Sequence, residues 1–196
     1  MTPRHCPACG AVLPNAADAA AVGGTPPGSG AGLPPVTCPA CGADHWRNAK
    51  PCAGALVMRD GRLLLLRRNI EPWRGWWDIP GGFCDAEEHP MACAAREARE
   101  ETGIAVEVTG YLGTWLDHYP GPDDPDHVVT LNAYYHAVAA AGAEVGDPDP
   151  HETSEVGWFT PDDLPEVAFL HARAVLAAWR DAVAEGRTVT PLPDRP

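Results

Sequence analysis

Residues 81–104 read GGFCDAEEHPMACAAREAREETGI, and the segment Arg96-Glu97-Ala98-Arg99-Glu100-Glu101 within them decides how the rest of the chain is read. Wound at about 100° per residue, Glu97, Glu100 and Glu101 fall within roughly 100° of arc, because positions three and four apart share a helix face. Met91, Ala94, Ala95, Ala98 and Thr102 gather on a separate face, small and mostly apolar, which suits close packing on a sheet. Asp85 and His89 are cap candidates, Pro90 fits the first helical turn, and Gly103 fits the left-handed residue that closes a helix. Like charges at this spacing repel. A solvated acidic face is the plain reading; a face that holds hard divalent cations such as Mg²⁺ or Mn²⁺ is the chemical one, because those ions take clustered oxygen ligands.

The surrounding residues favour the second reading. From Gly82 five residues lead to Glu88 and seven more to Arg96, after which Arg-Glu-x-x-Glu-Glu-x-Gly-hydrophobic follows without a gap. The stretch resembles the Nudix box, G-x5-E-x7-R-E-U-x-E-E-x-G-U, with U a bulky aliphatic residue; every fixed position is met, and Ala98 at the first U is the one departure. The resemblance implies an α/β chain with the Nudix fold, a mixed sheet inside an α/β/α sandwich. It also implies that Glu97, Glu100 and Glu101 hold Mg²⁺ or Mn²⁺ with the backbone carbonyl of Gly82, and that one carboxylate, on the helix or a neighbouring loop, takes the proton from water. By the same resemblance Arg96 braces the carboxylates, Glu88 stabilises the preceding loop, Gly81 and Gly82 let the chain turn sharply, and Gly103 ends the helix. Glu152 and Glu155 lie where many relatives supply a late acidic group.

At 196 residues the chain has room for one sizeable domain and a small appendage. Its net charge of −13 argues against nucleic-acid binding through a basic surface, and a polyanionic substrate would need metal ions to offset the repulsion. No apolar run approaches the roughly 18 residues that span a bilayer, and the start lacks the apolar centre of a signal peptide, so a soluble, cytoplasmic protein without a membrane partner is expected.

Four of the seven cysteines fall in two CPACG units, Cys6 with Cys9 and Cys38 with Cys41. Two such knuckles predict a four-thiolate Zn²⁺ site, structural rather than catalytic because no ligand position is left open for water. His5 and His45 stand beside the knuckles and are not expected to bind. The Gly/Pro/Ala-rich residues 14–35 between the units read as a flexible insert. The expected organisation is a zinc ribbon over 1–48, a hydrolase domain over 49–185 and a tail over 186–196.

Within the larger unit, residues 53–58 and 62–68 flank Asp60-Gly61, a two-residue hairpin signal, and the four leucines of the second arm suggest burial on both faces. Trp73, Trp76 and Trp77 crowd the next loop and are candidates either for stacking a base or for packing beside the sheet as core. Strands are expected at 105–108 and 111–116, a turn-rich substrate-side loop at 117–127 that contains Pro120, and a strand at 128–139 in which Thr130, Asn132, Tyr134 and His136 alternate with apolar residues. An acidic loop at 146–155 and a helix at 169–184 complete the reading. Cys93 is read as a small buried spacer, and Cys52 and Cys84 as free thiols.

A zinc ribbon ahead of a Nudix domain is similar to the NADH pyrophosphatase group, but the S-Q-P-W-P-F-P-x-S-like signature of that group is absent, the corresponding residues being YLGTWLDHYPGPDDPDH. Pro120 stands near the place of a proline that tends to follow the box in ADP-ribose pyrophosphatases. The expected activity is therefore hydrolysis of a nucleoside diphosphate linked to another moiety, ADP-ribose-like or NAD(H)-like. The alternative is a catalytically weak binding or regulatory module that uses the ribbon for partner contact. A homodimer in which ribbon and catalytic domain meet is a further expectation.

Overall fold

The computed structural model describes residues 4–14, 35–46, 48–121, 128–140 and 142–185. Nearly all of the expected insert, the tail and residues 122–127 of the expected loop lie outside the described residues.

The two knuckles are built alike. In each, the backbone amide of the glycine, Gly10 or Gly42, turns back on the first cysteine's carbonyl, at 2.8 and 2.9 Å. Both glycines sit at φ 75°, a left-handed backbone that a side chain disfavours. Strands β1 (Val36–Thr37) and β2 (Asp44–His45) pair beside the second knuckle, and Cys6, Leu13, Val36 and Cys38 form a small buried cluster.

The main sheet begins with β3 (Lys50–Arg59) and β4 (Arg62–Arg68), joined by Asp60 and Gly61 at φ 50° and 74°, the positive values that a two-residue hairpin turn needs. Leu63, Leu64, Leu65 and Leu66 are all buried, so β4 is covered on both faces. Strands β5 (Trp77–Asp78), β6 (Gly81–Phe83), β7 (Val106–Tyr119), β8 (Val128–Ala139) and β9 (Thr153–Phe159) complete a mixed seven-stranded sheet. Its main path runs β5-β4-β3-β8-β7; β6 pairs with β3 and β9 with β4, while β3 and β8 are parallel.

Helix α1 (Pro90–Thr102) packs on one face through Cys93, Ala94 and Ala98 against Ala53, Ala55, Val57 and Leu64; helix α2 (Leu170–Ala184) packs on the other through Ala172, Val175, Leu176 and Trp179 against Leu56, Leu63 and Leu65. Small residues let α1 lie close to its sheet. The layering is the expected α/β/α sandwich.

Three boundaries differ from the sequence reading, each because pairing with a neighbour outweighs local turn signals. Residues 106–119 form one strand with register shifts between Val108 and Gly110 and between Tyr111 and Gly113, so local bulges absorb what reads as a break. Asp117, His118 and Tyr119 belong to this strand, not to a loop, because each pairs with β8. Strand β9 begins at Thr153, which places Glu155 opposite Arg67 in the sheet rather than in the acidic loop.

Candidate active site

Helix α1 starts where His89, at φ −70° and ψ 135°, accepts the Met91 amide on Nδ1 at 3.1 Å, with Pro90 next. It ends at Gly103, whose amide returns to the Arg99 carbonyl. Gly103 is constrained twice over: its φ is 71°, and a Cβ there would come within 2.5 Å of the Gly146 backbone. The loop carrying Glu152 is thereby seated against the end of α1, an arrangement that the 3.3 Å bond from the Asp149 amide to the Glu100 carbonyl reinforces.

The helix carboxylates have separate partners. Arg96 forms a fork on Glu88, at 2.8 and 2.9 Å, and reaches Glu97 Oε1 at 2.8 Å and Glu100 Oε2 at 3.0 Å with a single nitrogen. Glu88 also accepts the Asp85 amide at 3.0 Å, which closes the loop ahead of the helix. The Arg96 guanidinium holds the Glu88 carboxyl down at about 2, and Glu88 in turn raises Arg96. Arg96 uses one oxygen of Glu97 and one of Glu100, so each retains a second.

Glu101 is buried and accepts the Gly81 amide at 2.8 Å. Burial pushes its carboxyl well up, with the nearby negative charges of Asp78, Glu97 and Glu152 adding to the effect. Glu97 is raised in the same way, first by burial, against the lowering effect of Arg96, with Glu100 and Glu152 opposing its charge. Gly82 lies directly against Glu97: a Cβ at Gly82 would stand 2.6 Å from Oε1. The strand β6 backbone and the buried side of α1 thus enclose two carboxylates whose ionisation is opposed by their neighbours, an environment that a cation relieves.

The three carboxylates do not converge as a ready-made cluster. Among the described residues, the one group of three or more acidic, His or Cys ligands whose donor atoms all lie within 4.8 Å of one another is Cys6, Cys9, Cys38 and Cys41. There the sulfur pairs Cys6–Cys41 and Cys9–Cys38 stand 3.7 Å apart, matching the ~3.8 Å edge of a tetrahedron with Zn–S bonds of about 2.3 Å. Backbone amides of Cys41 and Ala40 pull the Cys38 thiol down to about 7, whereas, against the lowering Ala43 amide, the neighbouring sulfurs push Cys41 up to about 12, a mutual repulsion that a bound dication would offset. The donor set fits structural zinc.

Beyond Gly81 and Gly82 a cleft opens on the α2 side of the sheet. Phe83, Tyr119 and Phe169 supply aromatic wall, with Phe83 and Tyr119 edge to face at 5.7 Å. Lys50 stands 5.4 Å over the Phe83 ring. The floor is polar. Asp117 accepts His171 Nδ1 at 2.5 Å, and His171 Nε2 meets the Tyr134 hydroxyl at 2.8 Å. Arg68 pairs with buried Asp78 at 3.2 Å and lies over Phe169. Burial raises the Asp78 carboxyl against the opposing pull of Arg68 and His171, and keeps the Tyr134 hydroxyl well above its ordinary value.

The sequence reading missed this floor. Its signal was the polar alternation of Thr130, Asn132 and Tyr134 in β8, all three of which turn out buried and line the cleft. The tryptophans lie elsewhere: Trp73 and Trp76 contact each other, Trp77 packs edge to face on Phe159, and none of the three lines the cleft. Pro120 directly follows β7 and does not line it. The two acidic loop candidates separate: Glu152 is close enough to oppose ionisation of Glu97 and Glu101, whereas exposed Glu155 pairs with Arg67 at 3.4 Å. Cys93 is buried, and Cys52 lines the cleft with its thiol pushed up to about 12 by burial.

Comparison with known proteins finds a family model, the NUDIX domain, matching residues 49–179. An NAD-capped RNA hydrolase NudC of Stutzerimonas stutzeri is 34% identical over 157 residues, which cover 80% of this chain and 51% of that protein. An ADP-ribose pyrophosphatase of Methanocaldococcus jannaschii is 28% identical over 120 residues, covering 61% of this chain and 67% of the relative. A crystal structure of a NUDIX hydrolase from Nitrosomonas europaea superposes with a TM-score of 0.70 over 96% of both chains at 24% identity, a likeness of fold. The chain spans about half the length of the first of these relatives. Among the described residues, no helix is long and apolar enough to cross a membrane.

Proposed function

This chain belongs to the NUDIX family, and on that premise we propose that it is a divalent-metal-dependent pyrophosphohydrolase that converts NDP-X and water into NMP and phosphorylated X. The observation that carries the proposal is the close packing of Gly81 and Gly82 on Glu101 and Glu97 at the edge of a cleft with polar floor and aromatic walls. Anionic carboxylates alone would repel a pyrophosphate. The names of the two relatives, one acting on NAD-capped RNA and one on ADP-ribose, support a nucleotide-linked substrate.

Glu97, Glu100 and Glu101, with the Gly82 carbonyl, would hold Mg²⁺ or Mn²⁺, and the ion would neutralise the phosphate charge and make a bound water more acidic. In the cleavage, the water oxygen bonds to one phosphorus and the bridging oxygen leaves with the electron pair of the broken P–O bond. The water proton passes to a carboxylate. Glu97 and Glu152 are the candidates, the first half-buried on the helix and the second exposed on the loop seated against it. Arg96 keeps Glu97 and Glu100 from swinging away and is itself anchored by Glu88. The four cysteines would hold a structural Zn²⁺ outside the reaction.

The test is a Mg²⁺-dependent phosphate-release screen over ADP-ribose, NADH, NAD⁺, FAD, dinucleoside polyphosphates and dNTPs, repeated with Glu100→Gln. Turnover of at least one nucleoside diphosphate derivative is expected, lowered at least about a hundredfold in the variant. Near-normal turnover in Glu100→Gln removes Glu100 from the metal shell; no turnover of any substrate favours the binding-module alternative.

A further inference from the structure

Asn132 sits in the middle of β8, opposite Cys52 of β3 and Trp115 of β7, and is only 7% exposed. Its amide has a single allowed orientation. The Nδ2 group lies 3.3 Å from the Trp115 carbonyl, which can only accept, so nitrogen must face it. The second amide hydrogen goes to Thr130 Oγ1 at 2.9 Å. That hydroxyl is free to accept because its own hydrogen is directed at the Asp117 carbonyl, 3.3 Å away. Both Asn132 donors are therefore committed. Among the described residues Oδ1 has no partner, and Asn132 lines the cleft.

Two residues along the same face, about 7 Å away, stands Tyr134. His171 binds Asp117 through Nδ1 and meets the Tyr134 hydroxyl at Nε2, so these three side chains are already paired with one another. Asp78 is likewise paired on both oxygens, one taking the Ile79 amide at 2.9 Å and the other Arg68. Beside these paired groups, Asn132 Oδ1 is an acceptor open to the cleft. A ligand that covers Oδ1 without bringing a donor would leave it unpaired, which is unfavourable, so the site discriminates by rejecting such ligands.

We propose that Asn132 is a specificity-determining residue, held by Thr130, whose amide oxygen accepts a hydrogen bond from an uncharged donor on the part of the substrate in the cleft. The proposal rests on the pyrophosphohydrolase reading for the placing of the phosphates at Gly81 and Gly82. Two parts of an NDP-X molecule carry such donors: the hydroxyls of a terminal sugar and the exocyclic amino group of a base. The cleft adjoins the glycines directly, so either half of the substrate reaches it.

The experiment measures equilibrium binding by calorimetry, in the Glu100→Gln background so that turnover does not intervene. The ligands are ADP-ribose, its analogue with hypoxanthine for adenine, and its analogue lacking the 2- and 3-hydroxyls of the terminal ribose. Asn132→Ala is expected to weaken ADP-ribose about tenfold and to leave unchanged the affinity for whichever analogue has lost the donor that Asn132 reads. That pattern assigns the donor to base or sugar. Thr130→Val, nearly isosteric, frees the amide to turn and is expected to give the same ligand pattern with a smaller loss, so the test stands even where Asn132→Ala fails to fold. Equal weakening of all three ligands, no weakening, or no binding of any of them overturns the proposal. Selective binding changes without hydrolysis by the parent chain would keep the recognition role and discard the hydrolase.

Discussion

The cysteine knuckles and the glutamate helix are both candidate metal sites, and they are prepared in opposite ways. Four sulfurs lie within 4.8 Å of one another, held by mirrored turns around Gly10 and Gly42. The carboxylates of Glu97, Glu100 and Glu101 are apart, one tied to Arg96 and Gly82's neighbourhood, one shared with the same arginine at the surface, one turned to the Gly81 amide. A thiolate cage with no open position suits an ion that stays for the life of the fold. A spread set of hard oxygens suits ions that arrive with a polyphosphate and bring most of their own ligands.

The sharpest way to break this contrast is to withdraw metal. Dialysis against metal-free buffer is expected to abolish turnover, and millimolar Mg²⁺ to restore it, while elemental analysis still finds about one Zn²⁺ per chain, in keeping with the roughly 10–16 kcal/mol of apparent binding free energy of four-ligand zinc sites. Turnover that survives dialysis, or zinc lost together with it, would erase the distinction between the two sites.

A smaller effect probes how closely β6 is fitted to α1. In Gly82→Ala the new Cβ would stand 2.6 Å from Glu97 Oε1 and must displace that carboxylate. An ångström of misplacement near the reacting atoms costs up to about a hundredfold, so a fall in kcat of roughly ten- to a hundredfold is expected with the far-ultraviolet spectrum unchanged. An unaltered kcat would mean that the position of Glu97 is not set by this contact. A parallel Gly10→Ala should touch zinc retention and not kcat.

What the sequence disclosed follows the same division. Both candidate metal sites rest on residues fixed by local spacing: two knuckles of four residues, and a helix whose face is set by positions three and four apart. The hairpin at Asp60-Gly61, the box helix and α2 each carry a local signature, while the sandwich that joins them was implied by the resemblance of the box. The cleft floor was not. Asp117 and His171 are 54 positions apart and Tyr134 and His171 are 37 apart; only the pairing of β7 with β8 and the docking of α2 bring them together. The tryptophan loop allowed two readings, stacking and packing, that only tertiary contacts separate. Trp76 and Trp77 pack on the core cluster, and Trp73 is held beside Trp76.

The smallest expected effect concerns Arg96, which links Glu97 and Glu100 of α1. Its strongest attachment is the fork on Glu88, with side chains 29% and 15% exposed. The Glu88 carboxyl is held at about 2, below its ordinary value of 4.5, so the folded state binds its proton less readily than the unfolded chain. Glu88 therefore contributes stability that is fully present above pH 4.5 and is lost as pH falls towards 2. The contribution is discounted because solvent reaches the pair. Glu88→Gln should lower the melting temperature at pH 7 by about 2–4 °C, and the gap to the parent chain should close between pH 4.5 and 2. Taking the difference between the two proteins removes the other carboxylates that protonate in the same window. A gap that stays constant across that window would show that Glu88 acts by loop packing rather than by its charge on Arg96, and the bracing of Glu97 and Glu100 would then need another anchor.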